Sequence, residues 1–196
     1  MNIAIFGGTF DPVHLGHLII CEQAYNSFNL DKVIFMPAGI PPHKVGSTIT
    51  ADKHRLNMLK MAVADNQHFY ISKWELNRSH KSYTIDTYKY IKKKYKNDNI
   101  YFIIGADSLF EIFEWKQPEY LLENTHFIVA RRPEYHIDNI LNDQRYKPYR
   151  ENIDLLDNCL VDISSSQIRK MITNGKSIKY FTLDCVIDYI SNNDLY

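Results

Sequence analysis

Ile3-Ala4-Ile5-Phe6, running straight into Gly7-Gly8-Thr9-Phe10-Asp11-Pro12-Val13-His14-Leu15-Gly16-His17, is the stretch on which the fold turns. Four consecutive apolar residues, two of them β-branched, suit a strand covered on both faces. The glycines end it, and beyond them Leu18, Tyr25 and Phe28 share one stripe of a helix. A strand that empties through a glycine-rich turn into a helix is the opening unit of a parallel sheet with crossover helices.

The same alternation continues outward from this unit. Short apolar runs at 32–36, 69–72, 100–104 and 127–130 predict further strands, with a short one at 160–163. Between them Leu56, Leu59 and Val63 form one helical stripe, and Ile85, Tyr88, Ile91 and Tyr95 another. A helix is expected to start near Ser165 and another to span 183–190. The predicted fold is α/β, a Rossmann-like open parallel sheet with helices on both faces and a small C-terminal helical part. With 196 residues, 45% of them apolar, a single domain over 1–196 is expected. The polar segment 136–152, which contains Pro148, reads as a surface excursion. The run Lys92, Lys93, Lys94 falls at a helix end, where cations complement the dipole.

Composition narrows the partners. The 23 basic and 23 acidic side chains cancel, so no global field attracts nucleic acid or an anionic membrane, and neither is expected as a partner. Cys21, Cys159 and Cys185 are far apart and lack zinc-type spacing, which suits reduced thiols in the cytoplasm. No charged leader opens the chain, and no apolar run approaches the ~18 residues of a membrane span.

The glycine loop carries the chemistry. Gly7 and Gly8 let the main chain approach a ligand closely, and a helix N-terminus beyond a strand end offers N–H groups to phosphate. His14 and His17, three apart, project from one face of the first turn with Gly16 between them. Two such imidazoles can donate to a phosphate as charge builds during displacement at phosphorus. By themselves the glycines suit an ordinary turn equally well, and a His pair at this spacing also suits a metal. Near the carboxyl end, Ser164, Ser165 and Ser166 precede a helix bearing Arg169, a second arrangement that either caps a helix or clamps a phosphate.

Taken whole, the string from Gly7 to His17 resembles the signature of the HxGH nucleotidyltransferases, and Ile163-Ser164-Ser165-Ser166-Gln167-Ile168-Arg169 resembles that superfamily's second signature. The resemblance implies contacts from Gly8, Thr9, Phe10, His14 and His17 to the ATP phosphates, with Gly7 beside them. It extends that ATP site to Ile163, Ser164 and Ser165, and gives Arg169 a catalytic cation's role.

Three further segments are similar to the nicotinate-nucleotide adenylyltransferase branch. In Pro41-Pro42-His43-Lys44 a stiffened loop presents His43 to the acceptor and Lys44 to polyphosphate as well as acceptor, although such a loop is also ordinary surface. Glu75-Leu76-Asn77-Arg78 and Ser82-Tyr83-Thr84-Ile85-Asp86-Thr87 place Thr84 at a helix start, able to bind a carboxylate or merely to cap. Gly105 and Asp107 end a strand where ribose hydroxyls of ATP can be accepted, and Trp115 offers a flat face to a pyridine ring, a use that spacing does not separate from a core role like that expected of Trp74. Arg132, after Arg131 and before Pro133, is expected at the ATP phosphates.

The implied reaction is attack by the phosphate of nicotinate mononucleotide on the α-phosphorus of ATP, releasing pyrophosphate. Mg²⁺ is expected as cofactor, held chiefly by substrate oxygens with Asp11 as an outer-sphere ligand and no protein metal site. A homo-oligomer is left open. The competing expectations are another acceptor phosphate, such as phosphopantetheine or nicotinamide mononucleotide, and a nucleotide sensor without chemistry.

Overall fold

In the computed structural model of the chain, which describes residues 1–41, 49–132, 135, 137 and 142–196, the opening strand lies inside a six-stranded sheet. β1 (Asn2–Gly8), β2 (Lys32–Pro37), β3 (Phe69–Ile71), β4 (Asn99–Gly105), β5 (His126–Ala130) and β6 (Ile153–Leu156) run in the order β3-β2-β1-β4-β5-β6. Every neighbouring pair is parallel.

Successive side chains of a strand face opposite sides, and β1 shows the consequence. Ala4 and Phe6 join one core with Val33 and Phe35, while Ile3 and Ile5 join the other with Ile34 and Met36. The first face is covered by α1 (Leu15–Ser27), α2 (Asp52–Ala62), α6 (Ser165–Thr173) and α7 (Asp184–Asn192). The second is covered by α3 (Thr84–Lys94), α4 (Ala106–Phe110) and α5 (Pro118–Asn124). Ile3, Ile5, Phe35 and Phe127 are wholly buried, and each contributes about 1.5–3 kcal/mol by leaving water.

The α3 stripe forms as its spacing predicts, with Ile85, Tyr88 and Ile91 buried, Asp86 in the first turn and the three lysines in the last. At α6, Ser164 caps the helix by accepting the backbone N–H of Gln167 at 3.1 Å, a contact whose loss in Ser164→Ala costs about 1 kcal/mol. Against α2, α7 sets Tyr189, whose hydroxyl accepts from Asn57 Nδ2 at 3.0 Å and meets His54 Nδ1 at 3.0 Å.

Three expectations are corrected. No strand forms at 160–163; the sixth is β6, whose four residues pair with β5. The segment 136–152 is not wholly a surface excursion. Its residues Gln144–Asn152 form 3-10 turns that bury Tyr146, whose hydroxyl donates to the Leu109 carbonyl at 2.6 Å. An aromatic ring can leave water while its hydroxyl keeps a partner, so a polar stretch is pinned to the core at one point. On α2 the buried stripe includes Arg55, Met58, Leu59 and Ala62, with Leu56 only partly covered.

The chain passes from β1 outward through β2 and β3, then crosses to β4 on the other side of β1 and continues outward through β5 and β6. Where strand order reverses, the loops after β1 and β4 part and leave a crevice at the carboxyl ends of the strands.

Candidate active site

Two cavities open at that crevice and share a wall. One, of about 380 Å³, is lined by His14, Gly16, Arg131, Asn158, Ile163 and Ser164 among others. The second, of about 350 Å³, is lined by Gly7, Gly8, Thr9, Glu75, Thr84 and Trp115 among others. Phe6, His17, Ile104, Gly105, Asp107 and Arg132 border both. The two cavities are therefore continuous along these six residues.

The two histidines are organised by the start of α1. His14 is its N-cap and His17 stands three residues on, with their rings stacked at 3.6 Å between centroids and 21° between planes. The backbone N–H of His14 donates to His17 Nδ1 at 3.2 Å. An accepting Nδ1 carries no proton, so the proton of a neutral His17 ring is on Nε2. Burial, helped by the nearby Arg132 charge, lowers the His14 pKa from 6.5 to about 4, so this ring is neutral at pH 7. The His14 side chain meets the backbone N–H of His17 in a reciprocal capping arrangement at the start of α1. Gly16 makes room for that ring, since a Cβ there would stand 3.1 Å from His14 Nδ1.

The loop between β1 and α1 is held by residues from far along the chain. Arg169 donates to the Asp11 carbonyl at 2.7 Å, Ser165 to the Pro12 carbonyl at 2.8 Å and Thr182 to the Val13 carbonyl at 2.9 Å. Leu15 N–H donates to the Phe181 carbonyl at 3.0 Å. The Asp11 side chain, 3% exposed, accepts from the Tyr196 hydroxyl at 2.6 Å and from Thr50 N–H at 3.2 Å. Burial and the Asp11 carboxylate push the Tyr196 phenol far above its ordinary range, so it stays a donor.

These contacts revise several expected roles. Asp11 is not placed as an outer-sphere metal ligand, because both its oxygens serve the loop from the interior. Arg169 and Ser165 grip the loop rather than line either cavity, whereas Ile163 and Ser164 line the first. Phe10 adopts φ +52° and is 1% exposed, packed edge-on against His17 at 5.1 Å. Its ring is core, and only its backbone remains for a phosphate. Gly8 serves that packing too, since a Cβ would touch the Phe10 ring at 3.0 Å.

Across the crevice Asp107 Oδ1 lies 3.2 Å from Arg132 Nε, both part-exposed, so the shared wall carries a cation with an attached carboxylate. Thr84 is the first helical residue of α3 and lines the second cavity; Tyr83 holds the N-cap position without a side-chain bond, so capping is not the use of this segment. The two tryptophans are now distinct. Trp74 is sandwiched between Tyr90, stacked at 4.5 Å, and the Arg78 guanidinium at 4.3 Å, whereas Trp115 is half-buried in the cavity wall. His43 and Lys44 lie outside the described residues.

Three residues at this site were missed. Arg55 is wholly buried and donates to the carbonyls of Thr50 at 3.0 Å, Thr9 at 2.6 Å and Ala38 at 2.8 Å, while pairing with Asp52. It thus joins the phosphate loop to the end of β2. Asn158 clasps Arg131, accepting its N–H at 2.6 Å and donating to its carbonyl at 3.3 Å. Glu75 is buried in the second cavity's wall, where it accepts from the Thr87 hydroxyl. A lone charged residue inside an otherwise apolar helical stripe was the available signal for Arg55; Glu75 stood in a quoted segment without a role of its own, and Asn158 left no signal.

A family model described as cytidylyltransferase-like matches residues 5–171. A protein of Desulfitobacterium hafniense (strain DSM 10664 / DCB-2) named "Probable nicotinate-nucleotide adenylyltransferase" is 42% identical over all of this chain and 95% of its own length. One so named from Clostridium tetani (strain Massachusetts / E88) is 40% identical over 98% of each chain. Among solved structures, Plasmodium falciparum nicotinic acid mononucleotide adenylyltransferase complexed with NaAD superposes with a TM-score of 0.84 at 26% identity, covering 100% of this chain and 97% of that one. The same enzyme complexed with APC gives 0.82, covering 100% and 96%. Among the described residues no helix is long and apolar enough to cross a membrane.

Proposed function

The chain belongs to the cytidylyltransferase-like family and, within it, to the nicotinate-nucleotide adenylyltransferases, and from that membership we infer how its paired cavities work. It transfers the adenylyl group of ATP to nicotinate mononucleotide, giving nicotinate adenine dinucleotide and pyrophosphate, a step of NAD biosynthesis. The observation that carries the assignment of the two sites is the shared wall: His17, Asp107 and Arg132 border both cavities, so two ligands can bring a nucleophile and an electrophile together there.

ATP occupies the cavity of His14, Ile163 and Ser164, and the acceptor occupies that of Thr84 and Trp115. The acceptor phosphate, an anion at neutral pH, attacks the α-phosphorus in line while the bond to pyrophosphate breaks. No proton need be removed from the nucleophile, so alignment and charge neutralisation lower the barrier. His17 donates from Nε2 to oxygens whose charge grows at the transition state, and neutral His14 backs it as a stacked partner with one N–H of its own. Arg132 supplies a fixed cation, and Lys44, outside the described residues, a second. Gly7, Gly8 and Thr9, expected at ATP, line the acceptor cavity instead, where their backbone borders the acceptor's phosphate.

Among the described residues no three metal-ligating side chains come together, and the Asp107 carboxylate already faces Arg132. A magnesium ion would be carried by triphosphate oxygens and water, where it would neutralise charge on the phosphates. Three unbridged cysteines and a substrate pair of soluble nucleotides suit the cytoplasm. The test is pyrophosphate release from MgATP with a panel of acceptor phosphates. Nicotinate mononucleotide should give the highest kcat/KM; a preference for phosphopantetheine, or no release with any acceptor, would overturn the reading.

A further inference from the structure

Glu75 lines the acceptor cavity beside Thr84, Thr87 and Trp115 and is 7% exposed. One carboxyl oxygen accepts from the Thr87 hydroxyl, and the Ser82 hydroxyl reaches the carboxyl as well. The remaining charges around it are already paired. Arg78 reaches Asp86 on α3 at 3.2 Å, and across the cavity Arg132 reaches Asp107 at 3.2 Å. Lys116 lies over the Tyr83 ring at 4.7 Å, before the start of α3. Glu75 is therefore the wall's carboxyl without a cation bonded to it among the described residues, and it sits where the pyridine of the acceptor is read.

We propose that Glu75 is a specificity-determining residue whose protonation state sets how well the cavity takes a pyridine carboxylate relative to the uncharged amide. The proposal rests on the acceptor assignment above. An ionised Glu75 confronts a carboxylate ligand with a like charge in a part-buried cleft, a repulsion on the order of tenfold in affinity; the amide feels none of it. A neutral Glu75 removes the penalty while keeping its hydroxyl partners. Burial raises the Glu75 pKa above the usual carboxylate range, against the opposing pull of its hydrogen bonds and Arg78, so the neutral form persists to higher pH than in water. The sign follows: discrimination in favour of the acid is greatest at low pH and declines as pH rises through that raised value.

The experiment measures kcat/KM for nicotinate and nicotinamide mononucleotides from pH ~4 to ~9, a span that starts at the ordinary carboxylate value and runs well above it, on the full chain and on Glu75→Gln. Phosphate ionisations of ATP and of the acceptors' ribose phosphate affect both acceptors alike and cancel in the ratio. The acid-to-amide ratio should fall by about tenfold across the range for the unaltered enzyme. In Glu75→Gln, which keeps an oxygen for Thr87, the ratio should be flat and remain at its low-pH level. A merely structural role would lower both acceptors together and leave the ratio unmoved. A flat ratio in the unaltered enzyme, or a falling one that persists in Glu75→Gln, overturns the proposal. No turnover with either pyridine acceptor at any pH would instead overturn the acceptor assignment and the proposal with it.

Discussion

His17 Nδ1 accepts the backbone N–H of His14 at 3.2 Å, so the same helix turn that presents the two rings also fixes the tautomer of one of them. A donor pinned on Nε2 needs no reorganisation when charge develops on a phosphate, which is where preorganised hydrogen bonds lower barriers most.

The neighbouring ring makes a prediction about pH. His14 is held at about 4 against an ordinary 6.5, so the unfolded chain takes up this proton first as pH falls. The contribution to stability is complete above about pH 6.5 and is lost between there and about pH 4, by roughly 3 kcal/mol. Denaturant unfolding across this range should lose that slope in His14→Gln. A histidine resonance assigned to His14 and titrating near 6.5 would contradict the burial argument.

Gly16→Ala should separate activity from stability. In a helix, alanine is favoured over glycine by up to about 1 kcal/mol, yet the new Cβ would lie 3.1 Å from His14 Nδ1 and 3.2 Å from Cε1. The ring must give way by a few tenths of an ångström. The expected outcome is a melting temperature unchanged or raised with kcat lowered by about tenfold, checked by calorimetry and pyrophosphate release on the same preparation.

Arg55→Lys should harm both properties. A lysine keeps the charge, but its compact ammonium does not span the carbonyls of Thr9, Ala38 and Thr50 that the guanidinium bridges. Leaving buried acceptors and a buried cation poorly paired costs about 3 kcal/mol. Because Thr9 and Ala38 both line the acceptor cavity, kcat per folded molecule should also fall, by about a hundredfold for a displacement near 1 Å. Denaturation midpoints and kcat normalised to product-binding stoichiometry distinguish the two effects.

What could be read from the sequence divides along a physical line. The β1 loop, His14, His17 and the α3 stripe were legible because strand, turn and helix each write their period locally. Asp11 misled because an acid inside a phosphate loop resembles a ligand, while its partner Tyr196 lies 185 residues away. Arg169 and Ser165 were expected at the ATP site, but they line neither cavity, and their bonds to the Asp11 and Pro12 carbonyls arise only from tertiary packing. β6 escaped because four residues at a sheet edge carry too little periodicity. Spacing did not separate the two tryptophans; only tertiary packing stacks Trp74 on Tyr90 and sets Trp115 in the wall of the second cavity.

The account depends most on His17 as the transition-state donor, and a single-turnover measurement with His17→Ala at saturating MgATP and nicotinate mononucleotide addresses it without interference from product release. The predicted result is a rate about two to three powers of ten below that of the unaltered enzyme, with ATP affinity changed far less. A rate within threefold of the unaltered enzyme would contradict it.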